Sequence, residues 1–279
     1  MMRYFVFSLI LIVFNTAVEG QSKIKKAEES LILPEKSSLS STLEYTASET
    51  HKTSESGGFF TDFVGDVFVQ IFAYTVYAAA FESPFEMDNK ASRAFLTTAP
   101  YYQSKKGHYT YTSDKNTPIF RSVFSGRYIS ENSRLKGLNL NLNMRFLKRW
   151  SAQLNYLQLW ENNPNFGYDN LGVYMALAKY HRVRTEKFDA WWGLGASYVD
   201  GRVNNLGFTY GLGAELFFAK PLSVEANFNQ AFINKETVNT FRGLLNYHLK
   251  RYKFIGGYEH LKIGNQKFSN VTLGLGVFF

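Results

Sequence analysis

Leu138–Phe146 reads LNLNLNMRF. Leu138, Leu140, Leu142, Met144 and Phe146 are apolar, and Asn139, Asn141, Asn143 and Arg145 stand between them. A period of two places the two sets on opposite faces of a strand. In a soluble sheet the leucine face would point inward. In a membrane barrel it would meet lipid, and the asparagines would line the lumen.

The pattern extends from Pro118 to the end of the chain. Ten segments alternate in polarity between short turn signals: Ile119–Ile129, Leu135–Leu147, Ser151–Trp160, Leu171–Arg182, Phe188–Val199, Leu206–Phe218, Leu222–Phe232, Val238–Leu249, Tyr252–Leu261 and Val271–Phe279. No strand–helix alternation appears, which argues against a parallel sheet. Strands joined by tight turns make an up-and-down antiparallel meander, and closure into a barrel removes its two edges. The expected fold is all-β, a transmembrane β-barrel of about ten strands over 118–279. Twelve strands remain the alternative if Gly57–Phe81 adds a hairpin.

The two faces differ as a lipid-facing wall and a lumen should. One collects Asn139, Asn141, Asn143, Arg145, Gln153, Asn155, Glu225, Asn227, Asn229, Arg242, Asn246 and Glu259, interspersed with Gly172, Gly193, Gly195, Gly211 and Gly213. Large polar side chains beside glycines suit a crowded interior. The other face is nearly pure Leu, Val, Ala, Phe and Tyr, as lipid contact requires. Aromatic residues gather at both sets of strand ends, as in the two girdles of a bilayer-spanning protein. Phe146, Trp150, Tyr180, Phe188, Phe218, Tyr247 and Phe254 lie near one end, and Tyr128, Trp160, Tyr198 and Phe232 near the other. Turns at Lys148-Arg149, Val183–Lys187, Ala219–Pro221 and Lys250-Arg251 define a short-turn, near side. The connections Ser130–Arg134, Glu161–Asn170, Asp200–Asn205, Ile233–Thr237 and Lys262–Asn270 read as modestly longer far-side loops. That asymmetry puts the near side in the periplasm. There Lys148, Arg149, Arg182, Arg184, Lys187, Lys220, Lys250, Arg251 and Lys253 would meet anionic headgroups.

Composition and the N-terminus agree with an exported membrane protein. Aromatics make up 17% of the 279 residues, and there is no Cys, so disulfides, thiolate metal sites, a lipoprotein anchor and a Cys nucleophile are excluded. Lys and Arg number 31 against 23 Asp and Glu, a formal charge of +8 that the rim accommodates without any nucleic acid. Met1–Gly20 reads as a signal peptide: a basic start, the apolar run Tyr4–Phe14, and Val18 and Gly20 as small residues before cleavage. As a membrane anchor the run falls short of the roughly 20 residues a spanning helix needs. Residues 21–56, rich in Ser, Thr, Glu and Lys, read as a flexible periplasmic tether. In 57–117, Phe63, Val67, Ile71 and Tyr74 recur at helical spacing, so Gly57–Phe81 is expected to form an amphipathic helix, with extra strands as the alternative. YYQSKKGHYTYTS follows as a polar connector.

The chain closes on Gly274-Leu275-Gly276-Val277-Phe278-Phe279, an alternating strand ending in Phe. That ending resembles the C-terminal signal of bacterial outer-membrane barrels, in which Phe279 would be read by the barrel-assembly machinery. YYQSKKGHYTY, WWGLGASYVDG, GFTYGLGAELFFAKPLS and GYEHLKIG resemble small outer-membrane β-barrel proteins of Bacteroidota. The resemblance covers roughly Gly57–Phe279. It implies a fold and an outer-membrane location but does not specify an activity, and no cofactor is expected. Outer-membrane lipids and the assembly machinery are the expected partners, with room for an unidentified outer-membrane or periplasmic protein.

A catalytic constellation is hard to assemble from spacing. Tyr258-Glu259-His260-Leu261-Lys262 starts like the His-x-Ser-Asn strand of outer-membrane lipid hydrolases, but Lys262 stands where the Ser belongs. Parity puts His260 on the outer face. No two of the five His have metal-ligand spacing, so no metal is expected. Gly193-Leu194-Gly195 lies within a strand and opens no helix, so it is not a nucleotide loop. What remains is a polar lumen network of Asn141, Asn143, Arg145, Glu215, Glu225, Asn227, Arg242, Asn246, His248 and Glu259. It serves either as structural filling or as a charged constriction. Three function classes follow: a structural or interaction protein with a filled lumen, a narrow passive pore, and, least supported, a lipid-modifying enzyme. A soluble ligand-binding barrel would need the leucine face inside.

Overall fold

The computed structural model describes residues 22–32, 93–102, 104–112, 117–146, 149–163, 167–234 and 236–279. Ten antiparallel strands close a barrel in chain order. They are β3 (Phe120–Ser130), β4 (Leu135–Phe146), β5 (Trp150–Asn163), β6 (Gly167–Arg184), β7 (Phe188–Asp200), β8 (Asn205–Ala219), β9 (Leu222–Ile233), β10 (Glu236–Leu249), β11 (Tyr252–Ile263) and β12 (Gln266–Phe278). β12 returns to β3 with Gly274 opposite Arg127 and Leu275 opposite Gly126, so the barrel has no free edge. Each segment read from the alternation is one of these strands. The signal peptide (1–20) and the Gly57–Phe81 segment lie outside the described residues.

Leucine faces out. Leu138 and Phe146 are 37% and 40% exposed, whereas Asn139 and Arg145 are 1% and 6%. Leu154, Leu194, Leu245 and Leu273 continue an exposed apolar belt around the wall. An apolar exterior over a polar interior is what a bilayer demands and water forbids, which removes the soluble-barrel alternative. Strands of 11 residues (β3) to 18 (β6) meet or exceed the roughly 9–11 needed to cross a bilayer. At the near end Trp150, Tyr180 and Trp192 pack in a row, with ring centroids 5.3 and 5.8 Å apart. Toward the far end Tyr156, Tyr174 and Tyr198 do the same at 4.6 and 6.2 Å.

Three details differ from the sequence reading. The far-side loops are barely longer than the near-side turns. β5 and β6 run on to Asn163 and from Gly167, β11 ends at Ile263 and β12 begins at Gln266, so short connections join the strands at both ends. Polar residues such as Glu161, Asp169 and Asn270 continue the ladder beyond the apolar belt, where strand pairing needs no greasy face. Second, Gly172 lies on the outer face with Tyr174, because Leu171 and Val173 point inward. Gly213 does face the lumen, where a Cβ would lie 2.7 Å from Trp191 Cζ2; its bareness admits that indole to the interior. Third, part of the stretch expected to be a tether is helical.

That helix, α1 (Lys23–Leu31), starts at Ser22, whose hydroxyl accepts from the Lys25 amide at 3.3 Å. Ile24, Ala27, Glu28 and Leu31 recur at the spacing of one helical face, and all are buried. Two further short strands, β1 (Phe95–Leu96) and β2 (Tyr109–Thr110), pair antiparallel outside the barrel sheet.

Candidate functional site

The lumen is the site, and it is covered at both mouths. At the far mouth α1 lies over an apolar bowl. Ile24, Ala27 and Leu31 join thirteen buried apolar side chains contributed by every barrel strand except β8. Among them are Ile129, Leu159, Leu171, Ile233, Ile263 and Phe268, each at most 1% exposed. Burying Ile24 and Leu31 contributes about 1.5–3 kcal/mol each. Polar contacts hold the rim of the helix to the loops. Glu161 caps its start, accepting from Ser22 Oγ at 2.8 Å and from the Ile24 amide at 3.0 Å. Lys23 pairs with Glu131 at 2.7 Å, and Asn234 Nδ2 donates to the Leu31 carbonyl at 2.6 Å. Glu28 points inward, accepts from the Arg202 amide at 2.8 Å, and has its carboxyl pushed up by burial.

At the near mouth residues 93–102 and 104–112 enter the barrel. Tyr101, His108 and Tyr109 of the expected polar connector are buried there, against a polar floor. Arg121 Nη2 lies 2.8 Å from His108 Nδ1, and His108 Nε2 lies 2.7 Å from Glu215 Oε2. A guanidinium only donates, so Nδ1 is the acceptor and Nε2–H donates to the carboxylate. His108 is therefore neutral. Burial, with Arg145 second, pulls its pKa down to about 3. Burial also raises the Tyr109 phenol. Arg145 donates to the Tyr109 hydroxyl at 2.7 Å and to Asp189 at 2.6 Å, and it stands within cation–π range of the Tyr109 ring.

The floor holds an arrangement not anticipated from spacing. Ser151 Oγ is 2.8 Å from His181 Nε2, and His181 Nδ1 is 2.8 Å from Asp189 Oδ1. The carboxylate needs a proton from Nδ1, so Nε2 accepts from the serine. That is the hydrogen-bond sense of a Ser–His–Asp triad. A second pair, Ser223 Oγ to His248 Nε2 at 2.8 Å, also engages Glu215, which accepts from Ser223 at 2.6 Å. Ser151, His181 and Asp189 are each at most 1% exposed, and Arg145 holds the other oxygen of Asp189. Ser151 itself has no surface open to an approaching acyl group. His260 does face outward, but Ser269 across the strand approaches its Nδ1 to only 3.4 Å, and no carboxylate bonds to the ring among the described residues.

Of the residues singled out from the sequence, Arg145, Glu215, Glu225, Asn227, Arg242, Asn246, His248 and Glu259 face the lumen, as do Asn141 and Asn143. They do not form one network. Glu225 gathers Asn227 at 2.7 Å, Asn246 at 3.1 Å and Lys253 at 3.7 Å. Arg145 belongs with Asp189 and Tyr109 instead. Arg242 and Glu259 are register partners in a belt above, where Arg127 stands 3.7 Å from Glu259 and donates to Asn139 at 2.7 Å. Two residues expected at the headgroup rim point inward: Arg184 donates to the Ala94 carbonyl at 3.2 Å, and Lys253 pairs with Glu225. Lys187, Lys220, Lys250 and Arg251 stay exposed on the rim. Asp189 was legible by parity with Gly193 on its own strand; Lys179 and His181 lie opposite Gly193 and Trp191 in the register and share their inner face. Arg121 and Arg127 share it with Ser125 in the same way. Trp150, Phe218, Tyr247 and Phe254 of the girdles are 45–49% exposed, while Trp160, Tyr180, Phe188 and Tyr198 are half-buried on the same outer face.

Between belt and bowl lies a cavity of about 20 Å³, room for about one water. Its walls run from Leu157, Val173 and Leu261 to Thr209, Arg242 and Glu259.

No family model matches the chain, and no curated protein is similar to it. Solved structures of similar fold are outer-membrane barrels. Ail of Yersinia pestis, in a nanodisc, is 16% identical and covers 58% of this chain and 100% of its own, at a TM-score of 0.34. An outer membrane channel of Pseudomonas putida is 10% identical, covering 60% of this chain and 100% of its own, at 0.38. The N-terminal barrel of Pseudomonas aeruginosa OprF is 9% identical, covering 58% of this chain and 98% of its own, at 0.30. At these distances the likeness carries nothing about the role of this chain.

Proposed function

We propose that this chain is an integral outer-membrane β-barrel of the structural and interaction type, closed to solute flow at rest. One observation carries the reading: α1 covers the far mouth and residues 93–102 and 104–112 fill the near one, with a water-sized cavity between belt and bowl. The exposed apolar belt and the two aromatic bands support placement in a bilayer. The ten strands bring the start of β3 and the end of β12 to the same side, and with them the exposed Phe279. We assign that near side to the periplasm, where Lys187, Lys220, Lys250 and Arg251 meet phosphates of the inner leaflet and Phe279 serves the assembly machinery. The buried Ser151–His181–Asp189 chain is read as scaffold: it neutralises Arg145 and anchors the plug through Tyr109. A non-enzymatic role follows from that sealing. Single-channel recording of the folded full chain in a planar bilayer tests the proposal. Silence is expected. Steady, reproducible openings would replace it with the passive-pore reading, and a dependence on Arg145 or Arg242 would locate the constriction.

A further inference from the structure

The bowl under α1 is built mainly by the wall. The helix presents three apolar side chains, one of them an alanine, to thirteen from the wall. Below them the lumen turns polar abruptly, and the polar layer is under-partnered. Arg127 Nε, Arg242 Nε, Glu259 Oε2 and both polar atoms of Asn270 are buried with no hydrogen-bond partner. Arg242 Nη2 is the better served end of its guanidinium, since it donates to the side-chain oxygen of Asn229 at 2.5 Å. Glu259 is the register partner of both Arg242 and Asn270. The layer thus holds two guanidiniums against one carboxylate. The cavity joins the two zones: Leu157 and Leu261 line its top, Arg242 and Glu259 its base. Buried polar atoms without partners are rare because each costs about 1–3 kcal/mol.

We propose that the bowl and the belt beneath it form a binding site for a linear amphiphile with one anionic head, of the fatty-acid class. The head sits against Arg242 and Arg127, and the chain takes the place of Ile24 and Leu31 in the bowl as α1 lifts to admit it. The charge balance fixes the sign of the head, and the apolar wall fixes the character of the tail. The site needs only the barrel and its lid, so it stands or falls independently of whether the barrel conducts.

A photoactivatable diazirine fatty acid supplies the test, with the full chain in nanodiscs and mass-spectrometric mapping of the labelled residues. Inward positions such as Leu157 and Leu261 should be labelled besides the lipid-facing ones. The chain has no Cys, so S30C with N265C staples the lid cleanly. Ser30 Oγ already lies 3.4 Å from the Asn265 amide. Oxidation of this one protein should lower inward labelling at least tenfold, and reduction should restore it, with folding held constant. R242Q should lower inward labelling about as much while outward labelling persists. Labelling confined to the outer wall of the wild-type chain would overturn the proposal. So would inward labelling that oxidation and R242Q leave unchanged.

Discussion

Asp189→Asn removes one charge and almost no volume from the floor of the near mouth. Asp189 is 1% exposed and accepts from Arg145 at 2.6 Å, from His181 at 2.8 Å and from Tyr109 at 3.4 Å. The amide leaves the Arg145 guanidinium, 6% exposed, without its carboxylate. It also gives Arg145 or His181 a donor where each needs an acceptor. Breaking a buried ion pair by removing one partner costs about 3–5 kcal/mol, because the surviving charge stays desolvated. Much of that cost can be escaped only by letting water in, which means releasing Tyr109 and the segment that carries it. The expected result is a loss of about 3 kcal/mol or more in urea unfolding of the vesicle-inserted barrel, read by tryptophan fluorescence. Faster amide exchange across 93–112 should accompany it. His181→Ala, which leaves the Arg145–Asp189 pair intact, should cost less. A D189N loss below about 1 kcal/mol would mean that Arg145 already sits in water, as an exposed pair would. The sealed near mouth, and the silent conductance drawn from it, would then be refuted.

Ile24→Ala or Leu31→Ala should each weaken lid closure by about 2–5 kcal/mol, seen as faster amide exchange across Lys23–Leu31 with β3–β12 unchanged. Docking of the near plug should weaken as pH falls. His108 has a pKa of about 3 when docked and an ordinary value near 6.5 when free, so the released form takes up the proton. Stability is fully present above pH 6.5 and falls toward pH 3 by at most about 1.4 kcal/mol per pH unit; acid-induced exchange across 93–112 measures it, and His108→Gln should flatten the profile. Glu28 works in the opposite sense. Its carboxyl is raised when the lid is shut, so closing takes up a proton and the lid loosens as pH rises from the ordinary carboxylate range through the raised value. Glu28→Gln should abolish that dependence. Ser151 should resist a fluorophosphonate probe in the intact protein; labelling that Ser151→Ala removes would revive the hydrolase reading.

Alternation alone determined the barrel. A period of two sustained over ten segments fixes which residues share a face, and the choice of inside follows from solvent. Leu138–Phe146 can sit only with leucines out once Asn139 and Arg145 have partners inside. Parity also assigned Glu225, Arg242 and Glu259 to the lumen, because the pleat is a local property of the backbone. What parity cannot give is the partner across the barrel. That Arg145 meets Asp189 and not Glu225, or that Ser151 meets His181, depends on register between strands and on the height of each residue along the axis. The plugs were hidden for a related reason. A stripe of Ile24, Ala27 and Leu31 is too short to stand out within a Ser- and Lys-rich stretch, and it is stable only because the far end of the barrel turns its own apolar residues inward. His108 and Tyr109 read as ordinary polar connector residues, and their burial comes from Arg121 on the next strand and from Arg145 and Glu215 on strands farther along the chain. Closing the cylinder brings those groups within reach of one another. Tertiary structure therefore decided whether the lumen is open.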